Sequence, residues 1–212
     1  MKKLIALLLA LVMVIGLVAC GSNETPEVPE NNDNAQTPEN NDTPENNDTP
    51  DNNTPEVTGP ASALELLETV WGLYGEDEKF FVFGGDGLNM VDGAPGAYTD
   101  MEALQSQLIV PVEEQGKISE IASLFHGMML NNFSCGAFKM AEGEDANAFA
   151  ETMYTAVTGN QWMCGFPEKV MIAVVGDYVV MVFGLTDVVD TFQAKLTEAY
   201  SNTEVKYSEA LA

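Results

Sequence analysis

One imidazole, His126, and three thiols, Cys20, Cys135 and Cys164, are all of those two groups that the 212-residue chain carries. A multi-histidine zinc site cannot be built from a single histidine, and the sequence sets out no Ser-His or Cys-His couple. An enzyme on this chain would have to run on carboxylates or a thiol. His126 itself reads as a packed or hydrogen-bonded structural residue. Asp86, Asn89 and Asp92 place three oxygen-bearing side chains in a glycine-rich stretch, where a hard cation such as calcium could use them. Their spacing matches no EF-hand loop, and the alternative is an ordinary turn. Gly84-Gly85-Asp86-Gly87 lacks the glycine spacing and the following helix of a dinucleotide fingerprint. No cofactor is expected.

Apolar residues stand out between Asn160 and Pro167, where polar turn residues are the norm: Trp162, Met163 and Phe166. Aromatics and methionine are enriched where proteins meet partners, so this connection is the candidate contact surface. The alternative is a lid, with Trp162 and Phe166 folded back over the core and Cys164 pointing inward. Met128-Met129 reads as core filler. Cys135 and Cys164 could pair outside the cytoplasm, closing a loop of about 30 residues worth roughly 3.6 kcal/mol, or could be two buried thiols.

Charge narrows the partners. The chain has 33 acids against eight basic residues, all lysines, for a net charge of −25. Ten of the acids lie within 21–60, which leaves 23 against six lysines, a net −17, on the remainder. Nucleic-acid binding needs a basic face and is excluded as an expectation. A solvated acidic surface suits a protein kept soluble outside the cell.

The N-terminus carries an address. Lys2 and Lys3 precede an apolar run, Leu4 to Val18, that is shorter than the ~20 residues a membrane span requires. Residues 1–19 therefore read as a signal peptide. Leu17-Val18-Ala19-Cys20 resembles the lipobox of bacterial lipoproteins. The resemblance implies a diacylglyceryl thioether on Cys20, cleavage just before it, and anchoring to the outer face of the cell membrane without a transmembrane helix. Residues 20–60 then form a tether. They repeat Thr37-Pro38-Glu39-Asn40-Asn41-Asp42 as Thr43-Pro44-Glu45-Asn46-Asn47-Asp48 and contain almost nothing apolar. Such a segment is expected to be disordered, with a reach between roughly 35 and 120 Å.

Residues 61–212 are expected to fold as one α+β domain. Ser62 and Glu65 open a helix over Ala63–Tyr74, Phe80–Phe83 is an aromatic strand, and Thr99 or Asp100 caps a short helix through Leu108. Residues 118–130 have both helical and strand character. Asn131-Asn132, suited to a tight turn, favours a strand up to Leu130 paired with Phe133–Met140. Ala146–Val157 is a helix closed by Gly159, Lys169–Val175 and Tyr178–Phe183 form a hairpin around Gly176-Asp177, and Thr186 or Asp187 caps a last helix. The expectation is an antiparallel sheet of about four to five strands with helices on one face, in two ββα halves. The run Asn160 to Lys169, with the hairpin and helix after it, resembles the C-terminal domain of uncharacterised lipoproteins from Gram-positive anaerobes. That resemblance lends no catalytic residue.

Three function classes follow. The first is a cell-surface lipoprotein that presents a small extracytoplasmic binding domain to a protein or cell-wall partner and is not an enzyme. The second is an accessory or structural subunit of an envelope complex, and the third a carboxylate-based wall hydrolase.

Overall fold

The computed structural model describes residues 59–163 and 165–211, and within them Ser62 opens the first helix as expected. Its hydroxyl accepts the Glu65 amide at 3.0 Å, and helix α1 runs Ala63–Gly72. The signal-peptide, lipidation and tether readings fall on 1–58 but for Gly59-Pro60, and so lie outside the described residues. Among the described residues no helix is long and apolar enough to cross a membrane.

After α1 come strands β1 (Val82–Gly85), β2 (Met90–Asp92) and β3 (Gly96–Ala97), then the short helix α2 (Leu104–Leu108). A 3-10 turn over Val112–Lys117 leads into β4 (Ile118–His126), and a second over Leu130–Asn132 into β5 (Phe133–Met140). Helix α3 (Ala146–Thr158), strands β6 (Lys169–Val175) and β7 (Tyr178–Gly184), helix α4 (Thr186–Ala199) and β8 (Glu204–Ala210) complete the order. The strands form one sheet in the order β2-β1-β4-β5-β7-β6-β8, with β3 beside β4, and every pairing is antiparallel.

The α+β class and the antiparallel sheet are as expected, but the sheet has eight strands, not four or five. The three extra strands lack the apolar runs that mark a strand. β2 and β3 are three and two residues long inside the glycine-rich stretch, and β8 is a largely exposed edge strand, Glu-Val-Lys-Tyr-Ser-Glu-Ala. The 118–130 segment is a strand, as the turn residues suggested, but it ends at His126. There the Gly127 amide bonds to the Phe81 carbonyl at 2.8 Å, and His126 Nδ1 accepts the amides of Met128 and Met129, which turns the chain away from the ladder. The β6–β7 turn is as read, with Gly176 supplying a φ of +59° that a two-residue hairpin requires. The start of α4 is not. Neither Thr186 nor Asp187 is its N-cap; the position belongs to Leu185, and Glu168 reaches over from the β6 side to accept the Thr186 amide at 3.0 Å.

Helices cover both faces of the sheet, not one. Alternation along β5 and β7 sends Cys135, Ala137, Val180 and Val182 into a cluster with α1 and α4, while Phe138, Met140, Met181 and Phe183 pack with α2 and α3. The two ββα units, β4-β5-α3 and β6-β7-α4, exist in sequence but place their helices on opposite sides. Connection geometry gives the reason. β5-α3-β6 and β7-α4-β8 each skip one strand to reach a parallel one, and both move the same way across the sheet. Because β5 and β7 run in opposite directions, two such crossovers of the same hand must pass on opposite faces.

The β1–β3 lobe is held by backbone proximity. A Cβ on Gly84 would lie 2.1 Å from the Gly96 nitrogen and 2.4 Å from the Pro95 carbonyl carbon, so no side chain fits. Gly84→Ala is expected to lower stability by about 3 kcal/mol in urea melts, whereas Gly87→Ala, whose added Cβ meets nothing within 4 Å, should change it by less than about 0.5 kcal/mol.

Candidate functional site

Of Asp86, Asn89 and Asp92, the three oxygen-bearing residues a calcium ion could use, Asp86 has both carboxylate oxygens taken up by donors of the protein itself. It is buried just past the end of β1. One oxygen accepts the Leu88 and Asn89 amides at 2.8 and 2.9 Å. The other accepts the Thr99 amide, the Thr99 hydroxyl at 2.9 Å and the Asp100 amide at 2.9 Å. Five donors on one carboxylate make a staple between the β1–β2 turn and the entry to α2. Asn89 turns its amide to Thr99 Oγ1 at 3.0 Å, and Asp92 pairs with Phe83 on the ladder, about 10 Å along the strand from the Asp86 turn. Among the described residues no group of three or more His, Cys, Asp or Glu converges to hold a metal.

Burial alone would raise the Asp86 pKa, but the donors of Thr99, Leu88 and Asn89 outweigh it and bring it from an ordinary 3.8 down to about 2. A depressed carboxylate contributes stability that is present above the unfolded value and lost as pH falls through the folded one. The expected contribution is roughly 2 kcal/mol at neutral pH, lost between about pH 4 and pH 2. Asp86→Asn, which turns an amide donor toward existing donors, should be less stable at pH 7 and show a flatter loss over that acid window in pH-resolved urea melts.

Cys135 is a free thiol, fully buried on the α1/α4 side, and burial pushes its pKa well up, so it is inert as a nucleophile. Its candidate partner Cys164 lies outside the described residues. His126 is a half-buried structural residue, stacked on Phe80 with ring centroids 5.6 Å apart.

The Asn160–Pro167 connection divides between the two readings made of it. Trp162 folds back as a lid: its ring is half-buried against Phe183, centroids 5.0 Å apart. Phe166 does not follow it. Phe166 is 74% exposed and Met163 89%. They are joined by residues that sequence reasoning placed elsewhere. Met128 and Met129, expected in the core, are 84% and 49% exposed because they lie past the end of β4, and Phe81 is 61% exposed.

These side chains share one end of the sheet. The Phe81 ring lies so close over Gly127 that a Cβ there would fall 2.3 Å from it. A Cβ on Gly165 would lie 3.2 Å from the Met129 sulfur, and Asn131 Nδ2 donates to the Gly165 carbonyl at 3.0 Å. Phe81, Met128, Met129 and Phe166 thus follow one another across the tip where β4, β7 and the β6 entry meet. Beside them a hollow of about 290 Å³ is lined by Ile109, Asn131, Trp162 and Met163 among others. Ile109 ends α2 with a left-handed φ of +56°, which costs a β-branched residue about 1–2 kcal/mol. The signal that could have found the tip is the pair Met128-Met129 next to Gly127, since a strand ending there leaves both without a core to fill.

Two other cavities are differently built. One of about 460 Å³ has Glu120 as its sole wall carboxylate, held by Lys139 at 3.1 Å and by the Ala63 amide at 3.2 Å. Another, about 380 Å³, carries Glu142, Glu144 and Asp177, all solvent-exposed. No family model, no curated protein and no solved structure matches this chain.

The division of the connection is testable by stability. Trp162→Ala should cost about 2 kcal/mol, part of the 3–5 kcal/mol typical of a fully buried ring, while Phe166→Ser should stay within about 0.5 kcal/mol of the parent in the same melt. A Trp162→Ala variant as stable as the parent would remove the lid assignment.

Proposed function

We propose that this chain is a cell-surface lipoprotein, anchored through Cys20, whose α+β domain is a binding module with the Met/Phe tip as its contact surface. The observation that carries the reading is the clustering of Phe81, Met128, Met129, Met163 and Phe166, all exposed, at one end of the sheet. Large exposed apolar groups held together mark an interaction site, and the tip gathers five of them, two aromatic, while Leu88, Met90 and Val112 are exposed elsewhere.

Placement supports the same reading. The chain enters the domain at Gly59-Pro60 and starts α1 beside Glu120, near the beginning of β4, whereas the tip lies beyond its end at His126. The separation along the strand is about 20 Å. Gly59-Pro60 and the start of α1 therefore leave the tip uncovered. The anchor rests on Leu17-Val18-Ala19-Cys20 and the short apolar run before it. The accessory-subunit reading called for an open apolar sheet face, and helices cover both faces. The hydrolase reading called for carboxylates converging in a deep cleft, and those that share a hollow are solvent-exposed.

Photo-crosslinking in intact cells that produce the full chain, followed by capture, tests the proposal. A partner band is expected with the parent and with Leu88→Ser, an exposed apolar residue elsewhere. The band should disappear with the double variant Met128→Ser/Phe166→Ser, and Cys20→Ala should be unprocessed or found in the medium. An unchanged band from the tip variant, or normal membrane retention of Cys20→Ala, would sink the corresponding half of the proposal.

A further inference from the structure

Resting on the reading of the tip as a contact surface, we infer that its partner is a cationic amphipathic segment, with apolar side chains that meet the Met/Phe patch and lysines or arginines that meet its acidic rim. The rim is set by three elements that end or begin at this tip. Lys79, Lys169 and Lys195 are each matched by an acid, at 2.9 Å to Glu76, 2.5 Å to Asp190 and 3.0 Å to Glu78. Asp77, four residues before Phe81, Glu168, two after Phe166, and Asp187, in the first turn of α4, fall outside these pairs, and all three are exposed.

Backbone dipoles add the same sign. Helices α1 and α3 both end on this side with no basic residue in the last turn; Lys195 lies 6.0 Å from the Tyr74 ring just past α1 but is paired with Glu78, so the partly negative ends add to the acidic sign. The one helix that begins here, α4, already has Asp187 in its first turn and the Glu168 carboxylate on its first amide. Its positive end is therefore neutralised. Glu168 is held below the usual carboxylate range, by the Thr186 amide first and the Thr186 hydroxyl second, and stays charged at any physiological pH.

Methionine suits the apolar part of such a site. Its thioether is flexible and polarisable and adapts to varied apolar partners, and an amphipathic helix reads this kind of surface with apolar anchors on one face. An acidic rim then selects among amphipathic partners by charge: it attracts a basic one and repels an acidic one or an anionic lipid surface.

The test uses the full chain in nanodiscs of zwitterionic lipid, with empty nanodiscs subtracted, and three dye-labelled helical peptides of about 18 residues. One patterns Leu with Lys, one patterns Leu with Glu, and one replaces every Leu of the first by Ser. At about 0.15 M salt the Leu/Lys peptide should bind at least ten-fold more tightly than either of the others. Met128→Ser/Phe166→Ser should weaken it at least ten-fold, Asp77→Asn/Asp187→Asn should weaken it several-fold and flatten its salt dependence, and Leu88→Ser should leave it unchanged.

Equal binding of the Ser/Lys peptide would mean charge alone and would overturn the inference. Tip-dependent binding of the Leu/Glu peptide at equal strength would overturn the cationic partner yet leave the contact surface standing. Tip-dependent binding to anionic vesicles would overturn it in favour of a membrane contact. Loss of tip-dependent capture in cells would remove the underlying reading itself.

Discussion

The seven residue pairs between β5 and β7, from Phe133↔Gly184 to Lys139↔Tyr178, are the seam on which the rest of the domain depends. Each strand is buried on both faces and begins a crossover, and the seam fixes which side chains go where. A slip of one position would exchange the faces. Phe138 and Phe183 would leave α3 and Trp162, and Cys135 and Val182 would leave α1 and α4. Strands buried on both sides, in a sheet that is antiparallel throughout, demand helices above and below. The two crossovers supply them because opposite strand directions send connections of one hand to opposite faces.

The same geometry collects the loops of the tip. β4 ends, β5 begins, β6 begins and β7 ends on one side, so the segments 127–132 and 160–168 are neighbours even though some 30 residues separate them in the chain. Asn131 and Gly165 fasten them by a hydrogen bond, and the Met129 sulfur rests on the glycine. The apolar tip is thus a product of topology, while its composition is a local property of each loop.

Legibility in the sequence followed the strength of the periodic signal. Lys169–Val175, Tyr178–Phe183, α3 and α1 with its Ser62 cap were readable because alternation, helical spacing and end residues agree at each. β2, β3 and β8 were not, since their pairing is decided by where a neighbouring backbone lies and not by their own side chains. Two-sided helix coverage was also hidden, because it follows from the relative direction of β5 and β7, a non-local quantity. At the site, Met163 and Phe166 were visible as apolar residues out of place. Phe81, Met128 and Met129 were hidden by the assumption that their runs continued as strand, and Asp86 looked like a ligand because its donors, Thr99 and Asp100, sit 13 and 14 residues away.

An exposed apolar tip invites pairing with a second copy of itself, and the acidic surface opposes it. With 23 acids and six lysines on residues 61–212, two copies approaching tip to tip bring like charge together, and the unmatched Asp77, Glu168 and Asp187 meet their own images. At physiological salt the interaction between exposed charges decays over about 8 Å, so a rim at contact distance is still felt while the far surface is not. Repulsion at the rim therefore opposes self-association even where burying two apolar tips would favour it. The same rim has the opposite effect on a basic partner, for which desolvation of Met128 and Phe166 and attraction at the edge act together. On the proposed reading composition and patch act as one device: the charge that opposes pairing of the surface with itself would also select what else pairs with it.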